Sequence, residues 1–189
     1  MAKAIDTWFD GQRYRSRLEA RWAVFFKVLG IKSEYEVEGY TDGATCYLCD
    51  FRLPDYRYWI EIKPSMPDAD EYAKADMLCE ATGEPVFIFH GQLRDHRSYV
   101  SLPGADGLPI PNTGYRWTQC PHCNALDIRF DGIARGLPCR CVEERGGETV
   151  RGSRLIEFAL QQAATARFEH GDGAAINALL QSAIPQGAS

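Results

Sequence analysis

The order of segments in this 189-residue chain predicts an α/β fold built on a mixed sheet. The prediction rests on an apolar stripe at helical spacing over residues 16–29, on strand-like segments between 34 and 63, and on a second helical segment, 67–82. That helix leads into Pro85-Val-Phe-Ile-Phe-His90, a continuously apolar run of the kind that enters a sheet parallel to its neighbour after a crossover. Helix, three strands, helix, strand is the expected order. A small cysteine module and a C-terminal helix follow it.

Each element has a local reason. Leu18, Trp22, Phe25, Phe26 and Leu29 form the stripe of the first helix. Ser16 with Glu19 has the capping-box pattern at its start, and Gly30 is placed to stop it. Residues 34–38 alternate polar and apolar, as a half-buried strand does. Asp42-Gly43 is a turn signal, residues 46–53 read as the second strand, and Pro54-Asp55 turns the chain. Residues 57–63 read as the third strand. Tyr58, Ile60 and Ile62 share one face of it, and Trp59, Glu61 and Lys63 the other. An antiparallel meander is expected. Tyr72, Ala75, Leu78 and Cys79 stripe the second helix, which Gly83 caps.

Residues 1–100 are expected to form the core, and 101–114, rich in Pro and Gly, a connection. Residues 115–145 hold four spaced cysteines. Residues 146–189 form a helical segment, with one helix over 150–170 whose face is Leu155, Phe158, Ala159 and Gln162, and a shorter helix at 174–184.

Composition is that of a globular chain, 45% hydrophobic and 25% charged. No apolar run approaches the roughly 18 residues needed to cross a bilayer, and the N-terminus lacks the apolar stretch of a signal peptide. A cytoplasmic protein with no membrane partner is expected. Seven cysteines without an export signal argue against a disulfide framework. The net charge of −5 does not advertise nucleic-acid binding. However, Arg13, Arg15, Arg17 and Arg21 crowd one stretch and are candidate phosphate contacts, with Lys74 a further one. An acidic site that holds cations would itself contribute negative charge.

Such a site is visible. Asp50 lies near the end of the second strand, and Glu61 and Lys63 lie two apart on the third. Pairing through the turn at 54–55 brings Asp50 close to Glu61. Mg²⁺ takes hard oxygen ligands, usually one or two carboxylates plus water and phosphate. Asp50 and Glu61 can supply these, with the backbone carbonyl of Ile62 as a third ligand. A metal bound there would lower the pKa of a water and polarise a phosphate. Lys63 would orient the water or stabilise developing charge. Glu19 approaches the same site if the first helix packs on the sheet.

The stretches RSRLEARWAVFFKVLGIKSEYEVEGY and YLCDFRLPDYRYWIEIKP resemble the PD-(D/E)xK nuclease superfamily, and more narrowly its small phage and bacterial members. The resemblance covers roughly residues 13–90. It implies an αβββαβ restriction-endonuclease-like core, with Glu19 as the helix glutamate, Asp50 as the aspartate and Glu61-Ile62-Lys63 as the (D/E)-x-K. It further implies Mg²⁺- or Mn²⁺-dependent hydrolysis of nucleic acid, DNA rather than RNA. Cys49 stands where proline is usual. A homodimer would cut both strands and a monomer would nick. The competing expectation is a catalytically silent nuclease fold that binds nucleic acid or protein, such as a phage factor acting on host machinery.

Cys120, Cys123, Cys139 and Cys141 follow the pattern C-x₂-C-x₁₅-C-x-C. Four thiolates suit tetrahedral structural zinc, which leaves no open position for catalysis. His122 is a possible substitute ligand. The module's role, nucleic-acid contact through Arg116, Trp117, Arg129, Arg135 and Arg140 or a simple brace, stays open. Cys46 and Cys49 repeat the C-x₂-C spacing, but a strand sends them to opposite faces. Cys79 reads as a core residue, and His90 as a histidine at the core edge.

Overall fold

The alternation of residues 58–63 produces a strand buried on both faces, and the fold is arranged around it. The computed structural model describes residues 5–41, 43, 46–104, 114–129, 139–145, 150–151 and 153–168. In chain order the elements are β1 (Thr7–Phe9), β2 (Gln12–Tyr14), α1 (Arg17–Val28), β3 (Glu34–Tyr35), β4 (Gly39–Thr41), β5 (Cys46–Leu48), β6 (Phe51–Leu53) and β7 (Tyr58–Lys63). They continue with α2 (Ala69–Thr82), β8 (Val86–His90), β9 (Arg97–Ser101), β10 (Arg116–Gln119), β11 (Leu126–Arg129), α3 (Cys141–Arg145), β12 (Val150–Arg151) and α4 (Arg154–Thr165).

A five-stranded sheet has the order β3-β6-β7-β8-β9. Its pairs are antiparallel except β7 with β8, which run parallel, as the apolar run after a crossover helix predicts. The mixed sheet separates two apolar layers. On one side Ile60 and Ile62 pack with Trp22, Phe25 and Phe26 of α1 and with Phe87 and Phe89 of β8. On the other, Trp59 packs with Ala75, Leu78 and Cys79 of α2 and with Ile88 and Tyr99. Each fully buried aromatic or aliphatic side chain stabilises the fold by about 1.5–3 kcal/mol.

Several expectations need correction. The second strand does not run unbroken over 46–53. It divides into β5, paired with β4 as a hairpin, and β6, paired with β7. The break falls at Cys49-Asp50, where the Asp50 N–H is taken by a carboxylate (below). The first strand stops at Tyr35 because Glu36 adopts φ 47°, outside strand geometry. Several strands were not anticipated, among them β9 and the β1–β2 hairpin. β9 adds antiparallel to β8. β1 and β2 form a hairpin around Asp10-Gly11, whose φ values of 52° and 79° fit a primed turn.

The last helix begins later than expected and is rotated. Val150–Arg151 forms a strand on β10, and Ser153 caps α4, its hydroxyl accepting from the Ile156 N–H at 3.2 Å. α4 ends at Thr165 and buries Ile156, Ala159 and Ala163, while Leu155 and Phe158 are 38% and 41% exposed. Residues 105–113, Arg135 and the helix expected at 174–184 lie outside the described residues.

The segments on either side of the connection share one core. Trp117, Ile128, Ile156, Ala159 and Ala163 belong to the same buried cluster as Trp22 and Phe26. The Tyr58 hydroxyl of β7 donates to Asp127 Oδ1 of β11 at 3.0 Å, a polar tie between the two sheets. Among the described residues, no helix is long and apolar enough to cross a membrane.

Candidate functional site

The register that sets Phe51 against Ile60 places Asp50, just before β6, beside Glu61 on β7. The two acids then fix each other through the backbone. The Asp50 N–H donates to Glu61 Oε2 at 3.2 Å, and the Ile62 N–H donates to Asp50 Oδ2 at 2.8 Å. The Tyr47 hydroxyl adds a third donor, 3.0 Å from Glu61 Oε2. Asp50 is 2% exposed and Glu61 4%. The second oxygen of each acid carries a side-chain cation. Asp50 Oδ1 lies 3.0 Å from Arg15 Nη2, and Glu61 Oε1 lies 2.8 Å from Lys63 Nζ. Lys63 is also 3.0 Å from Glu71 Oε1.

These groups perturb one another. Burial pushes the Asp50 carboxyl well above its ordinary range, and the charges of Glu61 and Glu19 push it further, against the Ile62 N–H and Arg15. Burial alone would lower Lys63, but the carboxylates of Glu61 and Glu71 outweigh it, so its pKa is raised and the ammonium persists. Burial likewise raises the Tyr47 phenol, with Cys49 and Glu61 adding to the effect. Buried acids and cations packed this closely mark a site with unusual demand for counter-charge.

The groups open into a cleft of about 620 Å³ whose lining includes Arg15, Glu19, Tyr47, Asp50, Glu61 and Lys63. Lys74 of α2 also lines it. Ile62 lines it too, with its N–H on Asp50 and its side chain in the core beneath. Glu19 faces the cleft, but its oxygens are engaged. Ser16 Oγ donates to Oε1 at 2.6 Å, while the Arg15 N–H at 3.1 Å and the Tyr35 hydroxyl at 2.5 Å donate to Oε2. Its own N–H donates to Ser16 Oγ. The arginines separate. Arg15 bridges Glu36, at 2.6 Å, and Asp50, whereas Arg13 pairs with Asp6 on the hairpin. Arg17 is exposed, and Arg21 is partly buried with its Nε unpaired.

The sequence names Arg15 only as a candidate phosphate contact and does not single out Tyr47 or Glu71. Tyr47 and Arg15 have no local pattern that marks them as partners of acids on other strands. Glu71 does have a signal. Asp68 and Glu71 form a complete capping box, which fixes the glutamate at the start of α2 where it meets Lys63.

A second constellation lies at the turn between β10 and β11 and at the start of α3. The sulfurs of Cys120, Cys123, Cys139 and Cys141 lie within 4.8 Å of one another and could hold one metal ion such as zinc. Among the described residues this is the only group of three or more Cys, His, Asp or Glu side chains so gathered. Residues 120–125 make the tight turn. The Cys120 N–H donates to the Ala125 carbonyl at 2.8 Å, and the Asn124 N–H to the Cys120 carbonyl at 3.0 Å, with Asn124 at φ 63°. His122 contributes its backbone N–H, 3.5 Å from Cys120 Sγ, and its ring is not part of the quartet. Burial opposes ionisation of Cys120, but the N–H groups of Cys123 and His122 and the thiols of Cys139 and Cys123 prevail and lower it to about 6. All seven cysteines are free of disulfides. Cys46 is exposed and Cys49 buried, so that pair does not converge.

Comparison with family models, curated proteins and solved structures finds no match to this chain.

Proposed function

We propose that this chain is a divalent-metal-dependent endonuclease that hydrolyses phosphodiester bonds of DNA, with Asp50, Glu61 and Lys63 at the reacting centre. The observation that carries the reading is the mutual locking of two buried carboxylates, with an ammonium group beside them in an open cleft. The order α1, β3, β6, β7, α2, β8 is consistent with the αβββαβ core that the resemblance implies. The donor set fits Mg²⁺ or Mn²⁺. Asp50 Oδ1 and Glu61 Oε1 are hard oxygens held by buried acids, and each already attracts a cation. When bound, such an ion supplies a water of lowered pKa and polarises the phosphate.

The residues of the chain do the rest. Asp50 and Glu61 present one oxygen each to the cleft, while the opposite oxygens are held by backbone N–H groups, so their orientation is set before any ligand arrives. Lys63 stays protonated between Glu61 and Glu71 and therefore serves as a positioned donor to a phosphoryl oxygen, rather than as a base. Glu19 is a positioning residue that holds the Tyr35 hydroxyl and the Arg15 backbone at the mouth of the cleft. Lys74 and Arg15 offer phosphate contacts in an otherwise acidic protein. The cysteine quartet, with no free coordination position, takes structural zinc that braces β10 and β11.

The test is incubation of supercoiled, linear and single-stranded DNA with Mg²⁺, Mn²⁺ or EDTA. Cleavage is expected with either cation and not with EDTA. Glu61→Gln and Lys63→Ala, with circular dichroism unchanged, are expected to lose about 100-fold or more of the rate. The reading fails if no DNA form is cut with added cation, or if both variants cut as the parent does. A second reading, a silent nuclease fold that binds nucleic acid or protein, is favoured by one observation: Arg15 pairs with Asp50 where an ion would enter. Absence of Mg²⁺ and Mn²⁺ binding in a calorimetric titration would support it.

A further inference from the structure

The two acids of the cleft are built alike and held by unlike cations. Each has one oxygen fixed by a backbone N–H, Asp50 Oδ2 by Ile62 and Glu61 Oε2 by Asp50. The oxygens left for an entering ion are therefore Asp50 Oδ1 and Glu61 Oε1, and these carry Arg15 and Lys63. Lys63 is 26% exposed, issues from the central strand and is gripped by a second acid, Glu71. Arg15 is 56% exposed and issues from the link between β2 and α1. Its Nε lies 2.6 Å from Glu36 Oε1, an ion pair without hydrogen-bond geometry and separate from the contact that Nη2 makes with Asp50. A guanidinium has donors in two directions, so it can release one acid while keeping the other. The arginine end of the Arg15–Asp50 pair is open to solvent while the aspartate end is buried, so the guanidinium is the partner with access to water.

We propose that Arg15 is an exchangeable counter-cation of the carboxylate cleft. A divalent ion and the Arg15 guanidinium compete for Asp50 Oδ1, and the released guanidinium, still pivoted on Glu36, binds phosphate at the cleft mouth. This rests on the nuclease reading above and adds to it a coupling: the arginine joins the nucleic-acid interface only when the cation is present. The backbone of Arg15 supports that pivot. Its N–H donates to Glu19 Oε2 and lies 3.1 Å from the Tyr35 hydroxyl oxygen, so the main chain is fixed while the side chain is free to turn.

The test uses the full zinc-loaded chain and two readouts that need no cleavage. Mn²⁺ affinity is measured by electron paramagnetic resonance of the free ion. Arg15→Ala and Arg15→Gln are expected to bind Mn²⁺ about fivefold more tightly than the parent, on the order of the loss of one ion pair whose arginine end is exposed. Asp50→Asn is the control that loses binding. Anisotropy of a labelled DNA duplex is then followed in a Lys63→Ala background. There, adding Arg15→Gln is expected to weaken duplex binding about fivefold with Mn²⁺ and to leave it unchanged without. Unchanged or weaker Mn²⁺ binding by both Arg15 variants overturns the exchange while the nuclease reading stands. So does an equal loss of duplex affinity with and without Mn²⁺. A parent chain that binds no Mn²⁺ at all overturns both.

Discussion

The carboxylate cleft and the cysteine centre meet the same problem, a cluster of groups that need positive charge, with opposite means. Asp50 and Glu61 stand on a sheet, and each divides its oxygens between a backbone N–H and a side-chain cation. The chain itself gives each acid one cation, although Asp50 stays raised against Arg15 and is only partly compensated. The four sulfurs sit on a tight turn and a short helix, with one another and a few N–H groups as partners. Burial opposes ionisation of Cys120, but the surrounding N–H groups and thiols lower it to about 6. The lesson is that the acids of one centre are paired with cations of the chain, whereas the four gathered sulfurs of the other could hold a metal ion.

That contrast is sharpened most by stripping metal. Removing zinc with a strong chelator is expected to lower Tm by about 10 °C or more, because binding to such a quartet contributes directly to folding. Trp117 and Ile128, next to the cysteines in sequence, sit in the common core, so the loss should reach α1 and α4. Removing Mg²⁺ alone should move Tm by no more than about 2 °C, since Arg15 and Lys63 already pair with the acids. A scanning-calorimetry pair of this kind breaks the comparison if the two shifts are equal.

A smaller effect lies at the seam between the regions. His96 is buried against Trp22 and Phe89 and lines a small cavity with Trp117 and Ile156. Its Nδ1 is 2.9 Å from the Leu93 carbonyl. Burial lowers its pKa to about 4, with Arg116 and His90 adding to the effect and the Leu93 carbonyl opposing it. The folded value lies below the unfolded one, so the unfolded chain binds the extra proton. Stability is fully present above about pH 6.5 and is lost as pH falls toward 4, by about 3 kcal/mol in all. The urea midpoint of the parent should fall over that window more steeply than that of His96→Phe. Both regions should unfold in the same transition, because the seam belongs to a single core. Parallel curves for parent and variant would remove His96 from the account.

The fold was legible where periodicity reports burial directly. The stripe of Trp22, Phe25 and Phe26 marks α1, and the alternation of 58–63 assigns Ile60 and Trp59 to opposite layers. The cysteine quartet was legible because its spacing is that of metal ligands, and the four sulfurs do gather within 4.8 Å of one another. What the sequence hides is set by tertiary choice. The break at Asp50 arises because its N–H prefers a carboxylate on the neighbouring strand to a continued ladder. The face of α4 was misjudged because Leu155 and Phe158 are the larger apolar groups, while close packing against α1 selected Ile156, Ala159 and Ala163. β9 is polar in sequence and is buried by pairing with β8 and by the Tyr99 hydroxyl on Asp76. Asp50, Glu61 and Lys63 do come together; of their counter-ions, Glu71 follows closely on the capped start of α2, whereas Arg15 is distant in the chain and only the folded sheet brings it in.

The measurement that bears most directly on the central claim is anomalous diffraction from crystals of the full chain grown with zinc and soaked in Mn²⁺. Data are collected at both absorption edges. The account predicts a zinc peak among Cys120, Cys123, Cys139 and Cys141, and a separate manganese peak in the cleft at Asp50 and Glu61. A manganese map empty at those carboxylates, with zinc present at the cysteines, would contradict it.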